Sequence, residues 1–241
     1  MSKSLKTGAF AQDIYKQSSV QLEELGTIRV LADGRTFAYA RAGAVALSVA
    51  KLTQSSVASA NANNETLAAS AAIGATYLSV TFGGAVTADF YKDGWIYPCD
   101  DTGEGHLYRV LGHAAGTTAV KVYLKEPVRV AMTAGATTIS AICNRQDLVL
   151  VCPTALTASV AGIPPREVDI NYYFWNQVKG PALCLIDGTV AIGEEVAPSN
   201  ATAGAVEALV HATTLDTTVG TVMSVDATTE YGLINLAVAG Y

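Results

Sequence analysis

The feature that most constrains this chain is the rhythm of its apolar residues. Short alternating runs recur through the middle and end of the sequence, among them TYLSVTF, HLYRVLGH, AVKVYLK, VRVAM, TTISAI and DLVLVC. They are separated by clusters rich in Gly, Asp, Thr and Pro. Alternation with period two puts one side of a pleat in a core and the other in solvent, and strands spaced about 8–12 residues apart read as a sandwich or barrel. Long amphipathic helical patterns do not intervene, which disfavours βαβ units and a parallel sheet. The expected fold class is therefore all-β, with tandem small antiparallel β-barrel or sandwich domains, an extended N-terminal arm and a long loop.

The segments are assigned in chain order. Residues 1–25 are polar and irregular and read as an arm, ordered by a partner and disordered alone. Residues 26–75 hold a hairpin and a long loop. In the hairpin, TIRVL and TFAYA alternate around Ala32-Asp33-Gly34-Arg35. The loop includes SSVASANANNETLAASAA, where a helix over residues 65–72 competes with an ordered loop that leans on something else. Residues 76–153 form a β domain with an Asp93-Gly94 turn. Residues 160–241 form a C-terminal small β-barrel, closed by TVGTVMSV and YGLINLAV around a turn at residues 226–229. Its anchor is GIPPREVDINYYFWNQVKGPALCLIDGTVAIGEEV, which reads as an aromatic strand, a Gly180-Pro181 turn, a strand over 182–186, a tight Asp187-Gly188 hairpin and a return strand over 189–196.

Charge limits the function classes. Charged residues make up 15% of the chain, against roughly 25% in an average soluble domain. Such a mix suits β-rich assemblies whose surface is partly hidden by neighbours, and equally a low-charge globular protein. The net charge of −6, with scattered Lys and Arg, opposes the phosphate attraction behind nucleic-acid binding, so no direct nucleic-acid partner is expected. The four cysteines, Cys99, Cys143, Cys152 and Cys184, are far apart and lack the paired spacing of a zinc site; free thiols in a reducing compartment are expected. The opening MSKSLKTGAF lacks the apolar core of a signal peptide, and no run reaches the ~18 apolar residues of a membrane span. No membrane partner is expected.

Candidate chemistry is sparse. Asp100-Asp101-Thr102-Gly103-Glu104-Gly105-His106 collects carboxylates, glycines and a histidine, but it is too short for a calcium loop and lacks the alternating ligand spacing. Turn chemistry between two strands explains it more simply. His106, His113 and His211 have no metal-binding spacing, and there is no nucleophile elbow, P-loop or dinucleotide fingerprint. The chain is read as a non-enzyme with no catalytic, cofactor-binding or metal residues. Tyr172, Tyr173, Phe174 and Trp175 are the candidate partner or subunit contacts. One face of their strand fills a barrel, and the other needs a neighbour to cover it.

Four pieces, LGTIRVLADGRTFAYARAGA, YKDGWIYPCDDTGEGHLYRVLGHA, NYYFWNQVKGPALCLIDGTVAIGEEVAPS and GTVMSVDATTEYGLINLAV, give the chain a resemblance to virion structural proteins of tailed double-stranded-DNA bacteriophages. It resembles in particular head decoration (cement) proteins. The resemblance implies a β-barrel protein on the outer surface of the capsid, made in the host cytoplasm. It also implies the major capsid protein as partner, self-association as a homotrimer, and no cofactor or catalytic residue. A tail or receptor-binding carbohydrate module, using Trp95 or Trp175, is the alternative.

Overall fold

The computed structural model describes residues 10–210, 217–225 and 229–241. The chain divides into two compact units, one nested in the sequence of the other. Unit 1 joins the two ends of the chain, up to Ser56 and from Arg145 onward, and unit 2 is the contiguous Val57–Asn144. Unit 1 begins with β1 (Ile28–Val30), β2 (Thr36–Arg41) and the short β3 (Thr53–Gln54). Unit 2 carries β4 (Glu65–Ala69), β5 (Tyr77–Thr81), β6 (Trp95–Asp100), β7 (Tyr108–His113), β8 (Val120–Leu124) and β9 (Thr138–Ile142). Unit 1 then resumes with β10 (Leu150–Val151), β11 (Val160–Gly162), β12 (Tyr173–Ile186), β13 (Glu195–Pro198), β14 (Ala205–Ala208), β15 (Gly220–Val222) and β16 (Tyr231–Ala237). Among the described residues the only helical piece is a 3-10 turn at Ala60–Ala62. The chain is all-β, with two small closed barrels and extra strands.

Unit 1 is built on β12, a 14-residue strand. Its first half pairs with β2, from Tyr173 opposite Arg41 to Gln177 opposite Phe37. Its second half pairs with β16, from Lys179 opposite Ala237 to Leu185 opposite Tyr231. A ring β12-β14-β13-β15-β16 closes the barrel, and the β1-β2 hairpin extends the sheet. One pair in the ring, β12 with β14, is parallel, so the barrel departs from the fully antiparallel expectation. Ala38, Val178, Cys184, Ile186, Val196, Val206, Ile234 and Leu236 fill the core. The strands β10-β3-β11 form a small second sheet. Asn176, buried in β12, donates to Thr53 Oγ1 and Gln146 Oε1, each at 3.2 Å. Arg41 and the buried Asp147 form a two-pronged ion pair at 2.6 and 2.9 Å.

Two expectations about this region are corrected. Gly180-Pro181 is not a turn between strands, because β12 continues through it. The pairing with β2 shifts register between Gln177 and Lys179 as the strand passes to its second partner. Gly180, at φ +88, lets the chain bend there; a Cβ would lie 3.0 Å from the Arg35 Cα. Asp187-Gly188 does not make a hairpin either: β13 pairs with β14 and β15 rather than folding back on β12. A Asp-Gly dipeptide supplies a local turn, but tertiary pairing selects the strand's partner. The expected β1-β2 hairpin is present, with Gly34 at φ +86 and Arg35 N donating to Asp33 Oδ1.

Unit 2 is a six-stranded closed barrel in the order β4-β5-β8-β7-β6-β9. Every second residue of β8 points inward, and Leu67, Leu78, Val80, Ile96, Tyr108, Val110, Val122 and Ile139 pack the interior. Buried Asp93, in the expected turn before β6, pairs with Lys125 at 2.8 Å. Segment 65–72 is not a helix, and only its end, residues 70–72, is irregular. Residues 65–69 form β4, because Thr66 and Leu67 pair with β5 and Glu65 and Thr66 with β9, closing the ring. VRVAM is not a strand; Val128 and Met132 are buried from a turn-rich segment with a single bridge, Met132 to Ala71.

The segmentation by chain order is corrected as well. The hairpin expected in residues 26–75 belongs with the C-terminal barrel, and the expected 76–153 domain is replaced by Val57–Asn144. The cause is long-range pairing: β2 finds its partner in β12, and β3 finds β10 and β11.

Candidate functional site

The aromatic run lies at the start of β12, where alternation sends its side chains to opposite faces. Phe174 packs inward with Ala40, Ala42, Leu47, Val149, Ala161 and Val168. Trp175 goes to the other face with Phe37, Tyr39, Ile14 and Leu25. Both Phe174 and Trp175 are 0% exposed. Tyr172 and Tyr173 are half-buried; Tyr173 stacks on Tyr39 at 6.0 Å, and the Arg41 guanidinium sits over its ring at 5.8 Å.

What covers Trp175 is the N-terminal segment of the same chain. The ring of Phe10 meets Trp175 edge-on at 5.2 Å. Gln12, itself buried, organises the contact. Its carbonyl accepts from Trp175 Nε1 at 3.0 Å and its Oε1 accepts from Tyr39 OH at 2.9 Å. Its Nε2 donates to the carbonyls of Lys16 and Tyr173. Ser18 and Tyr173 exchange backbone hydrogen bonds at 3.0 and 2.8 Å. Burial pushes the Tyr39 hydroxyl above its ordinary pKa. The expectation that this face awaits a neighbouring subunit is therefore corrected, and so is the arm for residues 10–24, which pack as part of unit 1. Residues 1–9 of the expected arm lie outside the described residues.

The acidic loop of residues 100–106 joins β6 to β7. Asp101, Gly103 and Gly105 take left-handed φ values of 60°, 88° and 78°, which is turn geometry. Thr102 Oγ1 bonds Thr137 Oγ1 at 2.8 Å, and His106 Nδ1 lies 3.1 Å from the Gly103 carbonyl. Asp100, Asp101 and Glu104 are all exposed. No group of three or more His, Cys, Asp or Glu residues able to hold a metal is present among the described residues. His113 is buried, its Nε2 accepting from Tyr91 N at 3.1 Å and its Nδ1 2.9 Å from the Ala114 carbonyl. His211 and the turn at residues 226–228 lie outside the described residues. Cys152 and Cys184 are buried, and burial pushes both thiols up to about 12. Thiols in that state are poor nucleophiles. Cys99 is exposed, within 3.5 Å of Asn64 Oδ1, Thr138 Oγ1 and Ser140 Oγ.

Sequence reasoning missed the outer wall of unit 2. Tyr77 on β5 sits opposite Tyr123 on β8, with ring centroids 5.9 Å apart. Tyr123 neighbours the β7 bulge that presents Leu111. Arg109 on β7 sits opposite Trp95 on β6, its guanidinium 5.5 Å from the ring, and Trp95 sits opposite Ile142 on β9. Tyr97 follows two residues along β6 on the same side. These six large apolar side chains are each 36–55% exposed, and they run across five of the six strands. Monomeric soluble proteins seldom leave this much large apolar surface uncovered on one small barrel. The signal was in the sequence: in WIY both parities of a strand are apolar, so one parity must face outward.

No family model, no curated protein and no solved structure matches this chain. No helix among the described residues is long and apolar enough to cross a membrane.

Proposed function

We propose that the protein is a bacteriophage virion structural protein, a capsid decoration (cement) protein that binds the outer surface of the head and stabilises the shell. The observation that carries this reading is the apolar band on the outer wall of unit 2, on a chain with only 15% charged residues. Aromatic residues and Arg at the centre of a surface are the composition of protein interfaces. Many modest contacts repeated around a shell sum to durable attachment. The sequence resemblance to head decoration proteins points the same way. In this reading the partners are the major capsid protein and further copies of the chain, as a homotrimer, and the protein performs no catalysis.

The test is quantitative mass spectrometry of purified virions with copy counting. Hundreds of copies per particle, released before the major capsid protein on mild denaturation, are expected; absence from the particle refutes the reading. The second reading is a tail or receptor-binding carbohydrate module. It draws on Trp95 and Tyr97, exposed side by side on β6, whereas Trp175 is buried and plays no part. Copy numbers of a few tens at most would favour it.

A further inference from the structure

The band on unit 2 has a charge pattern that points to its occupant. Lys121 lies on the outer wall of β8, exposed, with its Nζ 4.9 Å from the centroid of Tyr77. Arg109 stands in the middle of the band over Trp95. The opposite charge is in the β6–β7 loop, where Asp100, Asp101 and Glu104 are exposed. Ion pairs to Lys121 or to these three carboxylates are absent among the described residues. Leu107, 48% exposed, stands at the end of that loop.

Within one barrel Lys121 and these carboxylates are far apart. The loop leads into the start of β7, while Lys121 lies beyond the far end of that strand, since Val122 pairs with His113. The separation is the length of β7, roughly 20 Å at about 3.3 Å per residue. The acidic loop with its apolar tip and the Tyr77–Tyr123–Leu111 part of the band beside Lys121 thus lie toward opposite ends of β7, while Trp95, Tyr97 and Arg109 flank the loop itself. Two copies displaced along that wall bring them together.

We infer that the outer wall of unit 2 is a self-association surface, in which the acidic β6–β7 loop and Leu107 of one copy dock on the Tyr77–Tyr123–Leu111 part of the band of the next, beside Lys121. The contact is head-to-tail, so each copy uses both surfaces and the assembly closes into a ring or extends. This rests on the self-association part of the proposed function and not on capsid binding. It places the contact on unit 2 and away from Tyr172–Trp175, which unit 1 covers itself.

The experiment is sedimentation velocity on the full chain across a micromolar concentration series. Wild type is expected to sediment above the 25.0 kDa monomer, and to dissociate as salt rises, because screening weakens exposed charge pairs. Lys121→Glu and Asp101→Lys should each weaken association by about tenfold or more, since like charges juxtaposed across an interface repel. The double variant restores the opposite pairing and should return to within about threefold of wild type. Leu111→Ser, on the outer wall, should weaken association while leaving circular dichroism and thermal unfolding unchanged. A wild-type monomer at every concentration overturns the inference, as does association that single charge reversals leave intact, or a double variant no better than the singles. A monomer that still binds capsid shells, or whose Trp95 is quenched by a glycan, also overturns self-association and assigns the band to that partner; the former leaves the capsid reading standing.

Discussion

Replacing Gln12 with Ala tests whether residues 10–24 belong to the fold of unit 1. The Gln12 side chain reaches three partners in a buried setting: Tyr39 OH, the Tyr173 carbonyl and the Lys16 carbonyl. After truncation the Tyr173 carbonyl keeps its bond from Ser18 N, and Tyr39 OH keeps only backbone donations, that of Leu22 N among them. The Tyr39 hydroxyl proton is left without an acceptor in a side chain that is 0% exposed. An unsatisfied buried polar group costs about 1–3 kcal/mol, and with the loosened carbonyl contacts the expected loss is about 2–3 kcal/mol. The chain has two tryptophans, Trp95 in unit 2 and Trp175 in unit 1. In a Trp95→Phe background, emission during urea unfolding therefore reports unit 1 alone. The midpoint should fall with the slope unchanged. Gln17→Ala is the control, because its bonds to Asp169 at 2.6 and 2.8 Å are exposed, and it should stay within about 0.5 kcal/mol. If Gln12→Ala is as stable as the control, the segment is a detachable arm and the packing argument is wrong.

Other perturbations separate the units. Gly94→Ala should destabilise unit 2 by about 3 kcal/mol or more, because the new Cβ would meet only backbone, with Ile142 O at 2.3 Å; fluorescence of Trp95 in a Trp175→Phe background reads it, and an unchanged midpoint would contradict the geometry. Asp147→Asn removes the buried charge that pairs with the partly exposed Arg41 and should cost unit 1 about 1–3 kcal/mol, measured by the same unfolding assay. Cys152 and Cys184 hold their protons up to about 12, against an ordinary value of 9.0. The unfolded chain then binds fewer protons than the folded one only above pH 9, so unit 1 stability should be flat below that pH and fall between pH 9 and 12. A titration in which Cys152→Ala and Cys184→Ala variants lose stability over that range as steeply as wild type would exclude the thiols as its source. Thiol-reactive dye at pH 8 should label Cys99 at once, and label Cys152 and Cys184 only on unfolding.

The fold class was legible because alternation is a local signal. The β1-β2 hairpin, β5 through β9 and the closing strands β15 and β16 all lie where apolar residues alternate between turn residues. What failed was non-local. Glu65-Thr66-Leu67-Ala68-Ala69 has weak β character and becomes β4 only because β5 and β9 flank it. Gly180-Pro181 carries a strong turn signal, overridden by the strand partners on either side. The aromatic run was recognised as an anchor, but its cover was not. Residues 10–24 carry no alternation, and their fit to Trp175 rests on scattered contacts, the Phe10 ring, the Ile14 side chain and the Gln12 carbonyl. The exposed band was the opposite case: each strand showed its outward apolar residue, and only register across five strands brought them together.

The nesting of one unit inside the other sets an order of assembly. Unit 2 is complete once residue 144 has left the ribosome, and all its pairings are internal to a stretch of contiguous chain. Unit 1 cannot close until β16 is made, since that strand pairs with both β12 and β15. Meanwhile β2, with Phe37 and Tyr39, waits through more than half of synthesis for its partner in β12. Chains that expose apolar strands while awaiting distant partners are vulnerable to aggregation. A folded insert softens that wait: it replaces a long flexible loop by a compact body, reducing the entropy that closure of unit 1 must overcome. Mutations that unfold unit 2 should therefore lower the yield of soluble unit 1, even where they touch none of its residues.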